Sequence, residues 1–399
     1  MSDNIKKEIG SYSKDINKAS EDPHIRTAIT RAIDSYRNTL KDTLERYPHT
    51  PALAKEVKEI KRQSHANWRD LMQTAMTSIE RNHGHAYFAE DAQAVIDIIN
   101  DISGKNKSIV KGKSMLGEEL HLRERLAECG HEVWETDLGE FILQLMDGRP
   151  MHILSPSIHV PREQVAEVFT KFFGRTMHPD IAEEVGAVRE FLREKYFTAD
   201  IGISGANAVA ADTGQLSIIE NEGNVRLCTA APSIHIAVVG IEKIVPTFLE
   251  SMKVSEVTWR YGQYGAPAYV NIISGPSKTG DIEKVTTYGA HGPHEFHVIF
   301  VDNGRSKMMD DAVCKDAALC LRCGGCMYEC PVFSLVAGHF GKTYMNGIGA
   351  IWTAFVDESV NEAAPSVFNC LRCGRCIEQC PMDIDVPTMI ADLRNRIVE

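Results

Sequence analysis

Between Pro23 and Asn82 the apolar positions recur three and four apart, at Ile29, Ile33, Tyr36 and Leu40 and again at Trp68, Leu71, Met72, Ala75 and Ile79. Charged residues fill the gaps, which is the pattern of helices with one buried face. The PHTP segment from Pro48 to Pro51 interrupts the run, so two helices are expected there. They form a helical arm over residues 1–82 that packs on a neighbour. From His83 to Ser306 short β-type runs alternate with helical ones. Ser108–Lys111 reads as a strand, residues 116–129 as a helix, 131–135 as a strand and 138–145 as a helix. Further strands are expected at 153–154, 199–203, 216–220, 236–239, Tyr269–Ile273 and 297–301. Such alternation predicts right-handed βαβ units and an α/β domain over residues 83–306, closed by the turn residues DNGR at 302–305. Residues 307–399 are organised around cysteine.

Composition narrows the partners. The 399 residues allow two or three domains. A formal charge of −12 with no basic stripe argues against nucleic acid. No apolar run approaches the roughly 20 residues of a membrane span, and the opening MSDNIKKEIGSYSKD lacks an apolar signal region. A cytoplasmic protein is expected, with docking at a membrane through a partner left open.

Eight of the eleven cysteines form two arrays of the same spacing. The first is Cys320-x-x-Cys323-x-x-Cys326-x-x-x-Cys330-Pro331, and the second is Cys370-x-x-Cys373-x-x-Cys376-x-x-x-Cys380-Pro381. Three closely spaced thiolates can wrap one face of an iron–sulfur cube, while the fourth projects toward a second cube. Zinc sites close at four ligands in pairs and have no use for this spacing twice over. Two [4Fe–4S] clusters are therefore expected, with crossed ligation. Cys320, Cys323, Cys326 and Cys380 would hold one, and Cys370, Cys373, Cys376 and Cys330 the other. The Gly-rich and helical residues between the arrays predict a mainly helical two-cluster ferredoxin domain. Cys129, Cys228 and Cys314 lack ligand spacing and read as incidental or buried thiols.

The α/β region has weaker signals. GISGANAVAADTG (202–214) and ENEGNVR (220–226) concentrate glycine and short polar residues, which suit either tight turns or backbone N–H groups facing an anion. Neither matches the dinucleotide fingerprint. Gly112-Lys113-Ser114 resembles the end of a P-loop, but Lys107 stands where the earlier glycine is required. His291, His294 and His297 read as ordinary loop histidines before a metal site. Glu135, Asp137 and Glu140 read as carboxylates capping a helix.

KGKSMLGEEL (111–120), ETDLGEFILQL (135–145), HILSPSIHV (152–160), ADIGISGANAVAADTGQL (199–216), NEGNVR (221–226), HIAVVGIEKIVP (235–246) and VDNGRS (301–306) occur in order. Followed by the doubled cysteine motif, they resemble the LUD-domain iron–sulfur B subunits of lactate-utilisation complexes. The resemblance implies a sugar-phosphate-isomerase/CoA-transferase-like α/β fold and a system that oxidises L-lactate to pyruvate. Within that system this chain would relay electrons to or from a cysteine-rich subunit and a second LUD-type subunit. It implies a candidate anion or partner site at Lys113, Ser114, Asn207, Thr213, Gly214, Glu222, Asn224, Arg226 and Lys243, with a small 2-hydroxy acid as a ligand of the complex. The alternative is a relay for another oxidoreductase, glycolate-type or heterodisulfide-reductase-type, with the LUD domain as adaptor. No hydride acceptor or catalytic residue is identified, so whether the chain is itself an enzyme stays open.

Overall fold

A computed structural model describes residues 3–262, 264–357 and 359–399. Four helices open the chain: α1 (Asp3–Ser20), α2 (Pro23–Arg46), α3 (Thr50–Ala66) and α4 (Trp68–Arg81). Asp22 starts α2 by accepting from the His24 and Ile25 amides, with Pro23 in the first turn, where no amide is missed.

The centre is a parallel six-stranded sheet in the order β1 (His85–Ala89), β12 (Glu295–Val301), β7 (Ile234–Gly240), β4 (Ile201–Ser204), β2 (Ser108–Lys111) and β3 (Glu132–Glu135). Side chains alternate across it. Ile236 and Val238 of β7 face a core with Val95, Ile99 and Leu126 from α5 (Ala92–Ser103) and α7 (Leu122–Glu128). Ala237 and Val239 face the opposite core with Tyr36, Val57 and Ile79 of the N-terminal helices. That second core also holds Trp352 and Ile390 of the C-terminal region, so one apolar interior runs through all three parts of the chain.

A second sheet, β8 (Ile244–Val245), β5 (Ala208–Ala210), β6 (Gln215–Glu220) and β9 (Tyr269–Ile273), lies beside the first. A short hairpin, β10 (Lys278–Thr279) with β11 (Thr287–Tyr288), precedes β12. The remaining helices of this region are α6 (Met115–Glu119), α8 (Leu138–Met146), α9 (Arg162–Phe173), α10 (Ile181–Thr198), α11 (Asn224–Ala230) and α12 (Phe248–Tyr261). After β12 the regular structure is helical, in short pieces from α13 (Arg305–Met309) through α14 (Gly325–Tyr328), α15 (Phe333–Val336), α16 (Asn346–Val356), α17 (Ala364–Asn369) and α18 (Arg375–Glu378) to α19 (Val386–Val398).

Two expectations from periodicity and one about helix capping are corrected. The helix expected over 116–129 is broken into α6 and α7 because His121 adopts a left-handed backbone, φ 50°. Ile153 and Leu154 form no strand. The His152 ring accepts from the Leu154 and Ser155 amides and organises a loop instead. Of the three carboxylates expected to cap a helix, Asp137 alone caps α8, accepting from the Glu140 amide at 3.1 Å. Glu135 and Glu140 surround the buried Lys111 ammonium, at 2.8 and 3.6 Å.

Candidate functional site

Two features face each other at the carboxyl ends of the parallel strands. The first is a cavity of about 270 Å³. After β2 the chain turns outward to β3, whereas after β4 it goes the other way to β7. The loops following β2 and β4 therefore part and leave a crevice, the usual ligand position in parallel α/β sheets. Lys113 and Ser114 come from the first loop and Asn207 from the second. Glu222 and Asn224 come from the turn into α11, and Lys243 from the short helical turn after β7. Thr213 and Gly214 are not in this cavity. They form the β5–β6 turn, where the Thr213 carbonyl accepts from Asn82 and Gly214 packs on Ile79 of α4. Arg226 also lies outside it, stacked over the Tyr269 ring at 4.2 Å.

Charge in the cavity is unevenly satisfied. Lys113 donates to Asp137 and to the Leu154 carbonyl, both at 2.8 Å. Glu222 has its acidity weakened by burial and by the Asp137 charge. Lys243 makes no hydrogen bond or ion pair among the described residues, and burial lowers its pKa. Behind it lies an ion network whose members the sequence reading did not select. Arg305 donates to Glu242 at 2.7 Å and, through both terminal nitrogens, to Glu119 at 2.8 Å. Arg322 lies over Trp352 at 3.7 Å and donates to the Tyr344 hydroxyl. Lys61 of α3 reaches in to the Glu242 carbonyl at 2.8 Å, with burial pushing its pKa down to about 7. Gly240 is required here, because a Cβ would stand 2.0 Å from the Glu242 carboxylate.

The second feature is the cysteine region, whose first loop, Leu321 to Cys323, forms part of the cavity wall. The eight thiols fall into two groups. Cys326 is crowded electrostatically by Cys320, Cys323 and Cys380, and Cys376 by Cys370, Cys330 and Cys373. A hollow of about 50 Å³ is walled by the first four, with Cys376 at its edge, and one of about 20 Å³ by the second four. Burial, reinforced by neighbouring thiols, pushes Cys323 and Cys376 up to about 12 and Cys330 up to about 11. Such mutual crowding favours a bound cation, since a metal ion holds thiolates that would otherwise repel. Amide donors already point at the sulfurs: Asn346 Nδ2 lies 3.2 Å from Cys326 Sγ, and the Val332 and Phe333 amides face Cys330. The donor set and its hydrogen bonds fit iron–sulfur cubes. Of the other cysteines, Cys228 and Cys314 are buried and Cys129 is exposed.

A family model for the LUD domain matches residues 72–301, and one for a 4Fe-4S dicluster domain matches residues 316–384. Lactate utilization protein B of Shouchella clausii is 36% identical over 357 residues, covering 87% of this chain and 72% of that protein. Lactate utilization protein B of Bacillus subtilis is 35% identical over 347 residues, covering 86% and 70%. The chain belongs to the lactate utilization protein B family. Membership makes it an iron–sulfur protein of lactate utilization, with a parallel α/β LUD domain between helical N- and C-terminal regions. A solved structure of a DUF162 family protein from Deinococcus radiodurans aligns at 14% identity, covering 60% of this chain and 98% of that chain, with a TM-score of 0.31. Among the described residues, no helix of this family member is long and apolar enough to cross a membrane.

Proposed function

We propose that this chain is the electron-transfer subunit of a complex that oxidises L-lactate to pyruvate, with two [4Fe–4S] clusters held by crossed ligation. The observation that carries the reading is that Cys320, Cys323, Cys326 and Cys380 wall one hollow and Cys330, Cys370, Cys373 and Cys376 wall another, so each group takes its fourth member from the other motif. Cys320, Cys323, Cys326 and Cys380 would hold one cluster, and Cys330, Cys370, Cys373 and Cys376 the other. When bound, these clusters supply one-electron transfer. The protein's own contribution is to set their surroundings. Leu321 and Cys323 place the first group against the LUD cavity. Leu371, Arg372 and Cys373 are exposed, which leaves the second group open to a redox partner. Oxidising a 2-hydroxy acid releases two electrons, so the step that divides them is assigned to a partner subunit.

The test is to isolate the complex without oxygen and add L-lactate while recording electron paramagnetic resonance of the reduced clusters. Reduction that needs the partner subunits is expected. Reduction by glycolate but not by lactate would move the chain to another oxidoreductase.

A further inference from the structure

The LUD cavity has the position, size and charge of a ligand site. It sits where the loops after β2 and β4 part, and parallel α/β sheets bind ligands at such a point because strand-end loops there leave an open crevice. Its volume, about 270 Å³, far exceeds the one or two waters needed to satisfy a polar void. Most of its polar groups are committed within the protein. Lys113 is paired with Asp137, the Asn207 side-chain carbonyl accepts from the Ile219 amide, and Glu242 is held by Arg305. Among the lining cations Lys243 is the exception, and the buried Trp259 Nε1 on the same lining also has no hydrogen-bond partner. Lys243 lines the cavity, and its ammonium makes no hydrogen bond or ion pair among the described residues, although the Glu242 and Cys320 charges act on it.

We propose that this cavity binds a small monocarboxylate, with the Lys243 ammonium as its anchor. One uncommitted cation matches one negative charge. A phosphate dianion would meet Asp137 and Glu222 on the same wall without a second free cation to offset them. Asn207 Nδ2 can donate to a hydroxyl or keto oxygen next to the carboxylate, and the Asn224 side-chain carbonyl can accept from a hydroxyl there, which places 2-hydroxy and 2-oxo acids in the accepted class. The wall opposite is the loop from Leu321 to Cys323, so the ligand lies beside the first cysteine group. This deepens the function proposed above: the organic acid binds this chain, and the partner group that divides its two electrons must reach the cavity to act on it. A competing explanation is that Lys61, Lys243, Arg305 and Arg322, four cations against Glu119 and Glu242, serve the negative charge of the cluster alone.

Isothermal titration calorimetry on the anaerobic, iron-loaded full chain separates the two. L-lactate, pyruvate and inorganic phosphate are titrated at matched ionic strength. Binding of lactate or pyruvate but not phosphate is expected. Lys243→Met should weaken it by about tenfold or more, the value of one charge-assisted hydrogen bond, with iron content unchanged. Asn207→Asp, which keeps the acceptor for Ile219 and adds a negative charge, should weaken it too, and provides a reading if Lys243→Met fails to fold. Lys278→Met, an exposed charge on β10, should bind as the unmodified chain does. Absent carboxylate binding, or equal binding by both cavity variants, overturns the proposal. If the assembled complex is still reduced by lactate in that case, the electron-transfer reading stands and the acid binds elsewhere.

Discussion

Arg305 has no solvent exposure and holds Glu119 and Glu242, which come from segments far apart in the chain. Removing a charge from a buried pair leaves its partner uncompensated, at a cost of about 3–5 kcal/mol. Arg305→Met should therefore lose about that much in anaerobic urea unfolding, although the substitution is apolar and similar in length. A loss below about 1 kcal/mol would show that water reaches the network. Histidine gives a second prediction at this scale. Burial pushes His65, His152 and His235 down to about 3, so each stays neutral in the fold at mild acidity. Once unfolded, each regains its ordinary value near 6.5 and takes up a proton below it. The unfolded state then binds more protons, so stability falls as pH drops from about 6.5, by up to ~1.4 kcal/mol per pH unit for each group. His235→Gln keeps a partner for Ser204 Oγ, which lies 2.8 Å from the ring nitrogen. Its denaturation free energy should decline less steeply with acid than that of the unmodified protein. Equal slopes would show that His235 is protonated within the fold.

Among elements, the cysteine motifs make the sharpest demand. If ligation is crossed, Cys380→Ser perturbs the same paramagnetic signal as Cys320→Ser and spares the one altered by Cys370→Ser. The unmodified chain should carry about eight iron atoms. A Cys380→Ser spectrum matching that of Cys370→Ser would refute the crossing. This part of the site was legible because ligand spacing is local: four thiols within eleven residues and a following proline leave few alternatives. Regular periodicity was legible for the same reason, as in α2, β2 and β9. The cavity was less so. Lys113, Ser114, Asn207, Glu222, Asn224 and Lys243 converge, whereas Thr213, Gly214 and Arg226 share their glycine-rich segments but point elsewhere. Composition cannot tell the two sides of a turn apart. Glu119, Glu242, Arg305 and Arg322 escaped notice because their meaning lies in contacts between distant segments. Strand β1, HAYFA, also went unread: its histidine and tyrosine disguise a strand that pairs in parallel with β12 more than 200 residues later.

On the scale of the whole molecule, the N-terminal helices close over the cysteine region. Tyr36 of α2 is fully buried, stacks on Tyr328 with ring centres 4.5 Å apart, and donates to the Tyr261 carbonyl. Gln379, next to Cys380, donates to the same phenol at 2.8 Å. One side chain thus joins the arm, helix α12 and both cysteine motifs. The fit depends on Gly325, where a Cβ would come within 2.2 Å of the Tyr36 hydroxyl. Lys61 of α3 and the exposed Arg37–Glu329 pair tie down the same arm, the former through the Glu242 carbonyl. The arm is therefore expected to shield Cys323 and Cys326, whose sulfurs lie close to the Tyr36 phenol, from solvent and oxygen. Tyr36→Phe retains the stack and loses two hydrogen bonds, each worth about 1 kcal/mol. Tyr36→Ala opens a void directly above the first motif, with an expected loss of about 3–5 kcal/mol. The two variants separate strength from shielding. In air, the visible absorbance of the clusters should bleach fastest in Tyr36→Ala, while Tyr36→Phe should stay close to the unmodified protein. If Tyr36→Ala is less stable yet bleaches no faster, the arm only holds the fold together, and oxygen reaches the clusters by the exposed Leu371–Cys373 side.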